Sequence, residues 1–277
     1  MQLFHDVSQA CSQITTERYS TSFSSAIRLL NRDIQTPIYN IYGFVRFADE
    51  IVDTFHEQDK EILLAEFKRE TYTAIQRRIS LNPILHSFQM TVNRYNIDLE
   101  LIEAFFRSME FDLDKRAYDQ LGYEEYIYGS AEVVGLMCLY VFVDGDVEAY
   151  ESLKPHARSL GAAFQKVNFL RDVKADYLQL NRVYFPGVDF NRFTPEMKAQ
   201  IEADIDQDFR HAYEGIVRLP LKARFGVYLA YKYYLSLFRK IRRVQPQRIL
   251  EERIRIPNYA KAWVATKAVI RTQLNML

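Results

Sequence analysis

Apolar residues recur at three- and four-residue spacing along nearly the whole chain, as in Ile38, Ile41, Tyr42, Val45, Ala48 and Val52, which form one helical stripe. Short alternating runs bounded by turn residues, the mark of strands, are nearly absent. The pattern predicts an all-α protein. Prolines at 37, 83, 155, 195, 220 and 257 stand where helices are expected to start or stop, dividing the chain into roughly ten helices. Expected segments include 37–55, 60–79, 98–115, 122–143, a stretch over 165–186, then 195–213, 220–243 and a last helix over 258–275. No low-complexity tract, long linker or solenoid-period repeat interrupts them, so a single domain over 1–277 is expected.

Composition narrows this reading. Lys plus Arg equals Asp plus Glu at 36 each, so no global field attracts nucleic acid or an anionic membrane. Function must rest on local charge. Tyr and Phe number 19 each, enough to line a large apolar cavity as well as fill a core. Cys11 and Cys138 have no zinc-spaced partners, which fits a reducing cytoplasm. The start of the chain has no basic segment followed by an apolar run, which argues against a signal peptide. The longest apolar run, 133–143, falls well short of the roughly 20 residues that span a bilayer. A cytoplasmic protein is expected, soluble or in peripheral contact with the inner face of a membrane.

Two rows of hard oxygen ligands stand out. In 165–186, QKVNFLRDVKADYLQLNRVYFP, residues Asn168, Asp172 and Asp176 fall at i, i+4 and i+8 and stack on one helix face. Upstream, Arg46, Asp49 and Asp53 lie at i, i+3 and i+7. The two helices are expected to face each other and hold magnesium ions and a diphosphate between them. Carboxylate and amide oxygens suit Mg²⁺, which binds few protein carboxylates together with substrate phosphates. Neither row contains histidine and no GxxxxGK[ST] loop exists, so phosphate is left to metal and to arginines such as Arg46, Arg171 and Arg182. The basic run of Arg248, Arg253 and Arg255 is either a solvated face or a cover for the diphosphate. Within 98–115, Glu110 and Asp114 share a side and Asp112 does not, a weaker metal option. Small residues at 129–131 and at Gly135 permit close helix packing or a ligand channel. Metal on a diphosphate makes it a good leaving group, and aromatic walls shield the carbocation that remains. The residues alone do not separate prenyl coupling from terpene cyclisation.

These motifs resemble those of the squalene and phytoene synthase family, the head-to-head prenyl diphosphate synthases. The first reads Tyr42-Gly-Phe-Val-Arg46-Phe-Ala-Asp49-Glu-Ile-Val-Asp53; the second reads Asn168-Phe-Leu-Arg171-Asp172-Val-Lys-Ala-Asp176, followed by Arg182-Val-Tyr184-Phe-Pro186. Segments 20–30 and 126–135 also look like family segments. An asparagine-led row also resembles a terpene-cyclase metal motif, but the Arg171-Asp172 pair and the 182–186 tail point to head-to-head synthases. The resemblance implies the isoprenoid synthase fold, a helical bundle around a central cavity with both motifs at its mouth. It implies Asp49, Asp53, Asn168 and Asp172 as ligands of Mg²⁺, with Asp176 beside them and Mn²⁺ as a substitute. By the same resemblance, Arg46 and Arg171 hold diphosphate oxygens, and Tyr42, Tyr128 and Gln165 line the reacting centre. Ser20, Ser22 and Phe23 are assigned to the entrance, with Arg182 and Arg255 also on substrate.

Residues 128–136 look most like bacterial carotenoid enzymes, so the expected reaction is that of a phytoene synthase. Two C20 geranylgeranyl diphosphates would condense to prephytoene diphosphate, a cyclopropylcarbinyl diphosphate, which ionises and rearranges to the 1–1′ linked product without NADPH. Squalene or dehydrosqualene formation from two farnesyl diphosphates is the alternative, and a catalytically silent helical scaffold a further one. Two departures are visible. Thr21 stands where many relatives carry Lys or Arg, which takes a phosphate contact from that helix out of the expectation. Glu132 replaces a small residue and is expected to narrow or polarise the channel.

Overall fold

The computed structural model describes residues 1–114, 119–178, 184–188, 190–257, 264, 265 and 268; the side chains of 114, 175–178 and 191 lie outside it. Among the described residues the regular elements are all helices, with no strand. In chain order the helices are α1 (Gln2–Tyr19), α2 (Thr21–Ile27), α3 (Arg32–Thr54), α4 (Lys60–Arg77), α5 (Pro83–Tyr95), α6 (Leu99–Asp114) and α7 (Gln120–Ile127). A π-helical turn, Tyr128–Glu132, joins α7 to α8 (Val133–Val143), and then come α9 (Val147–Leu178), α10 (Pro195–Ile216), α11 (Leu221–Arg242) and α12 (Pro246–Glu251). The expected last helix over 258–275 falls almost wholly outside the described residues.

Local chemistry sets most boundaries. Ser20 Oγ accepts from Phe23 N–H at 3.1 Å to start α2, and Asp59, Asn82, Asp119 and Thr194 cap α4, α5, α7 and α10 in the same way. Pro83 and Pro195 open their helices, where the missing N–H costs nothing. Pro37 and Pro155 do not act as boundaries: both lie inside helices, α3 and α9. Each removes one backbone bond, and the apolar stripes on either side are buried strongly enough to carry the helix through.

The apolar run at 133–143 also extends further than its composition suggested. Helix continues upstream through the π turn, so Gln120–Val143 is long and apolar enough to cross a bilayer by length and composition. More than half of that window is buried against other helices, as in a core helix.

Two apolar clusters lie along α9. One gathers α3, α5, α6 and α8, where Phe44 stacks on Phe88 with ring centroids 3.9 Å apart. The other gathers α7, the second half of α9, α10 and α11, where Phe169 stacks on Tyr184 at 4.0 Å. Each such buried ring contributes about 1.5–3 kcal/mol. Residues of both clusters border one cavity.

Candidate active site

The cavity has a volume of about 530 Å³ and is walled by α2, α3, the π turn with α8, α9, α10 and α11. One face of α9 lines it at helical spacing: Leu153, Ala157, Leu160, Phe164, Gln165, Asn168 and Arg171. From Leu153 to Arg171 this face runs about 27 Å at the helical rise. Its deep end is apolar on several helices, with Ile38, Leu139, Phe142, Leu153 and Leu219. Its mouth carries Arg46, Asp49, Asn168, Arg171 and Arg253. Gly161 brings α9 close to the π turn, since a Cβ there would meet Ala131 O at 2.7 Å.

Asp49 of α3 and Asn168 of α9 line this same cavity, whereas Asp53 and Asp172 are not among its lining residues. On α3, Arg46 Nη1 lies 3.9 Å from Asp49 Oδ2, its Nη2 bonds Glu50, and its guanidinium stacks over Tyr19 at 4.5 Å. Its buried Nε has no partner. An orphaned guanidinium N–H inside a cavity is a group prepared for an anion. Burial, and then the neighbouring Asp53 carboxylate, push the Asp49 carboxyl up to about 7 against the opposing pull of Arg46. Asp53 itself is exposed. Crowded oxygen ligands whose charge lacks full compensation fit a hard divalent cation.

On α9, Asn168 Nδ2 approaches Gln165 Oε1 at 3.5 Å, and its Oδ1 accepts from Tyr234 O–H at 3.3 Å. Arg171 Nε donates to both Asp172 oxygens at 3.1 Å. Tyr42 lies between the motifs; burial pushes its phenol up to about 12, so it stays protonated and able to donate. Phe23 packs on Tyr42, Phe164 and Tyr234 with centroids 5.7, 6.2 and 5.9 Å away.

Several expected residues stand elsewhere. Ser22 is partly buried but is not among the cavity-lining residues. Tyr128, the first residue of the π turn, does not line the cavity either: its ring lies under the Arg158 guanidinium at 5.2 Å. Tyr126 has the buried position, and its O–H donates to Asp112 at 2.8 and 3.0 Å. Asp112 is one of the charges that raise the Asp49 carboxyl, so it belongs with the α3 row, whereas Glu110 pairs with Lys68 at 3.1 Å. Arg255 is exposed, and its carbonyl accepts from Lys240. Arg253 instead lines the cavity, its Nε 2.6 Å from Asp172 Oδ1. Arg182 and the side chains of Asp114 and Asp176 lie outside the described residues.

Glu132 does not enter the channel. It pairs with Arg158 Nε at 2.5 Å in a second cleft of about 700 Å³ on the other side of α9, where Lys166 meets Asp204 and Asp208. Sequence reasoning gave Tyr126 and Tyr234 no role of their own, set Asp112 off the side shared by Glu110 and Asp114, and held Arg253 only as part of a basic run that either is solvated or covers the diphosphate. The only available signal was their residue type near the motifs.

The chain matches the squalene/phytoene synthase family over residues 16–260. It is 29% identical over 251 residues to the phytoene synthase of Cereibacter sphaeroides, covering 81% of this chain and 69% of that one. It is also 29% identical over 169 residues to the presqualene diphosphate synthase of Rhodopseudomonas palustris, with 60% of this chain and 58% of the relative covered. The 4,4'-diapophytoene synthase of Staphylococcus haemolyticus is 28% identical over 204 residues, covering 71% of this chain and 68% of that protein. Among solved structures, a dehydrosqualene synthase in complex with ligand superposes with TM-score 0.81 at 20% identity, covering 99% of this chain and 98% of its own. A squalene synthase from Alicyclobacillus acidocaldarius follows at TM-score 0.75 and 20% identity, with 86% and 94% covered. These structural likenesses establish the isoprenoid synthase fold.

Proposed function

The chain belongs to the squalene/phytoene synthase family of prenyltransferase-type enzymes, and from that premise we propose that it joins two geranylgeranyl diphosphates head to head to give phytoene, with magnesium as cofactor. The observation that carries the reading is the shared cavity: Asp49 of the α3 motif and Asn168 of the α9 motif line it together, with Arg46, Arg171 and Arg253 among them and apolar side chains over the rest. We take 1–277 as one synthase domain on the same ground.

Asp49, Asp53, Asn168 and Asp172 would hold the metal, with Asp176 beside them; Asp112 adds charge to the α3 side. The bound cation would supply charge neutralisation for the departing diphosphate. Arg46, Arg171 and Arg253 bind diphosphate oxygens, and the unpartnered Arg46 Nε supplies one donor. The protonated Tyr42 phenol orients the diphosphate. Phe23, Phe164 and Tyr234 exclude water and present ring faces to the allylic cation. The coupled cyclopropylcarbinyl diphosphate ionises again in the same enclosure and loses a proton, so no reductant is consumed. A cytoplasmic enzyme in peripheral contact with a membrane suits so apolar a product.

Farnesyl diphosphate as the donor is the second reading, favoured by the equal identity to the presqualene diphosphate synthase. Asp49→Ala and Asp172→Ala each abolish turnover while the helical circular-dichroism signal persists. Activity in both variants contradicts the site.

A further inference from the structure

Where His156 borders the cavity, α9 and α10 bring together a partly exposed group that the prenyl chemistry does not use. A ring nitrogen of His156, a ring nitrogen of His211 and a Glu214 carboxylate oxygen all lie within 4.8 Å of one another. His211 and Glu214 are i, i+3 on α10, so they share a face, and His156 reaches them from α9. The two rings pack 4.3 Å apart.

The surroundings hold the imidazoles as metal sites do. His156 Nδ1–H donates to His211 O at 2.9 Å, which fixes the tautomer and leaves the Nε2 lone pair outward. His211 Nδ1 meets Ser159 Oγ at 2.8 Å, an outer partner that lets its own Nε2 ligate. Gly215 keeps the His156 ring in place: a Cβ there would sit 2.2 Å from His156 Cβ. The present occupant of His156 Nε2 is Arg218, whose Nη1 lies 3.1 Å away on an exposed, displaceable side chain that also bonds Ser152.

We propose that His156, His211 and Glu214 form a second cation site, for an imidazole-preferring divalent metal such as zinc, in which the metal replaces the Arg218 guanidinium. Two imidazoles and one carboxylate are a zinc-type donor set and a poor one for magnesium. His156 is twelve residues before Asn168, about 18 Å along α9 at the helical rise, so the site is separate from the acidic mouth. Because His156 also lines the cavity, a bound metal would tie α9 to α10 beside it. The inference stands apart from the proposed reaction.

The test is calorimetric titration of Zn²⁺ into the full chain held in excess Mg²⁺, with circular dichroism as the folding control. The expected result is one zinc per chain with a zinc-dependent rise in Tm. His211→Ala and the exposed Glu214→Gln weaken binding about tenfold or more, Arg218→Ala tightens it, and Asp49→Asn leaves it unchanged. No zinc binding by the wild type overturns the proposal. So does zinc binding that Asp49→Asn removes and His211→Ala spares.

Discussion

Arg253 Nε lies 2.6 Å from Asp172 Oδ1, so a residue from the irregular segment after α12 closes onto the acidic row of α9. Asp172 is thereby held between Arg171 and Arg253. A metal–diphosphate complex offers both partners an exchange, cation to the carboxylate and phosphate oxygens to the guanidiniums. Arg253→Ala should raise KM for the prenyl diphosphate about ten- to a hundredfold, the value of a hydrogen bond to a charged group. Arg253→Lys should recover only part of this, because lysine lacks the planar fork. Arg255→Ala, whose side chain does not line the cavity, should leave KM within about twofold, since surface changes away from a site move little free energy. Steady-state kinetics on the three variants checks this.

Asp112 adds negative charge to the α3 row while Tyr126 satisfies both its oxygens. Asp112→Asn keeps the shape and removes the charge. The Mg²⁺ concentration for half-maximal activity should rise on the order of tenfold, about 1.4 kcal/mol. Tyr126→Phe leaves the buried carboxylate without its phenol and should cost about 1–3 kcal/mol of stability, read as a lower Tm. An unchanged metal dependence in Asp112→Asn would remove it from the site.

His86, buried where α1 packs on α5, accepts Ser80 N–H at Nδ1 (3.2 Å) and faces His5 Nδ1 through Nε2 (2.8 Å). Burial, and then His5, lower its pKa below the usual histidine value. A depressed folded-state pKa means the native state disfavours the proton. The associated stability is present above the unfolded value near 6.5 and is lost as pH falls through the lower folded value. Tm should therefore fall as pH is lowered from 7 toward 5, and less steeply in His86→Gln. Equal slopes in the two proteins would exclude His86 as the cause.

The all-α fold was legible from periodicity, and so was the placing of Asp49 and Asn168 on one cavity, because both sit on long helices where spacing sets the face. What was illegible depended on departures from regular helix or on distant packing. Tyr126 and Tyr128 stand two residues apart and so point to different sides of the helix, and only packing shows that Tyr126 meets Asp112 while Tyr128 meets Arg158. Arg253 and Arg255 fall on irregular chain, where no period tells which side chain reaches Asp172. Glu132 sits at the π turn and faces the second cleft, paired with Arg158. Tyr234 is one of several tyrosines on α11, and only its packing against Phe164 and Asn168 singles it out.

The most direct measurement is mass spectrometry of the hydrocarbon formed when the purified chain and Mg²⁺ are given geranylgeranyl diphosphate or farnesyl diphosphate separately, without NADPH. The account predicts phytoene from geranylgeranyl diphosphate, with two diphosphates released per product. A head-to-head product from farnesyl diphosphate alone, or no diphosphate release from either, would contradict it.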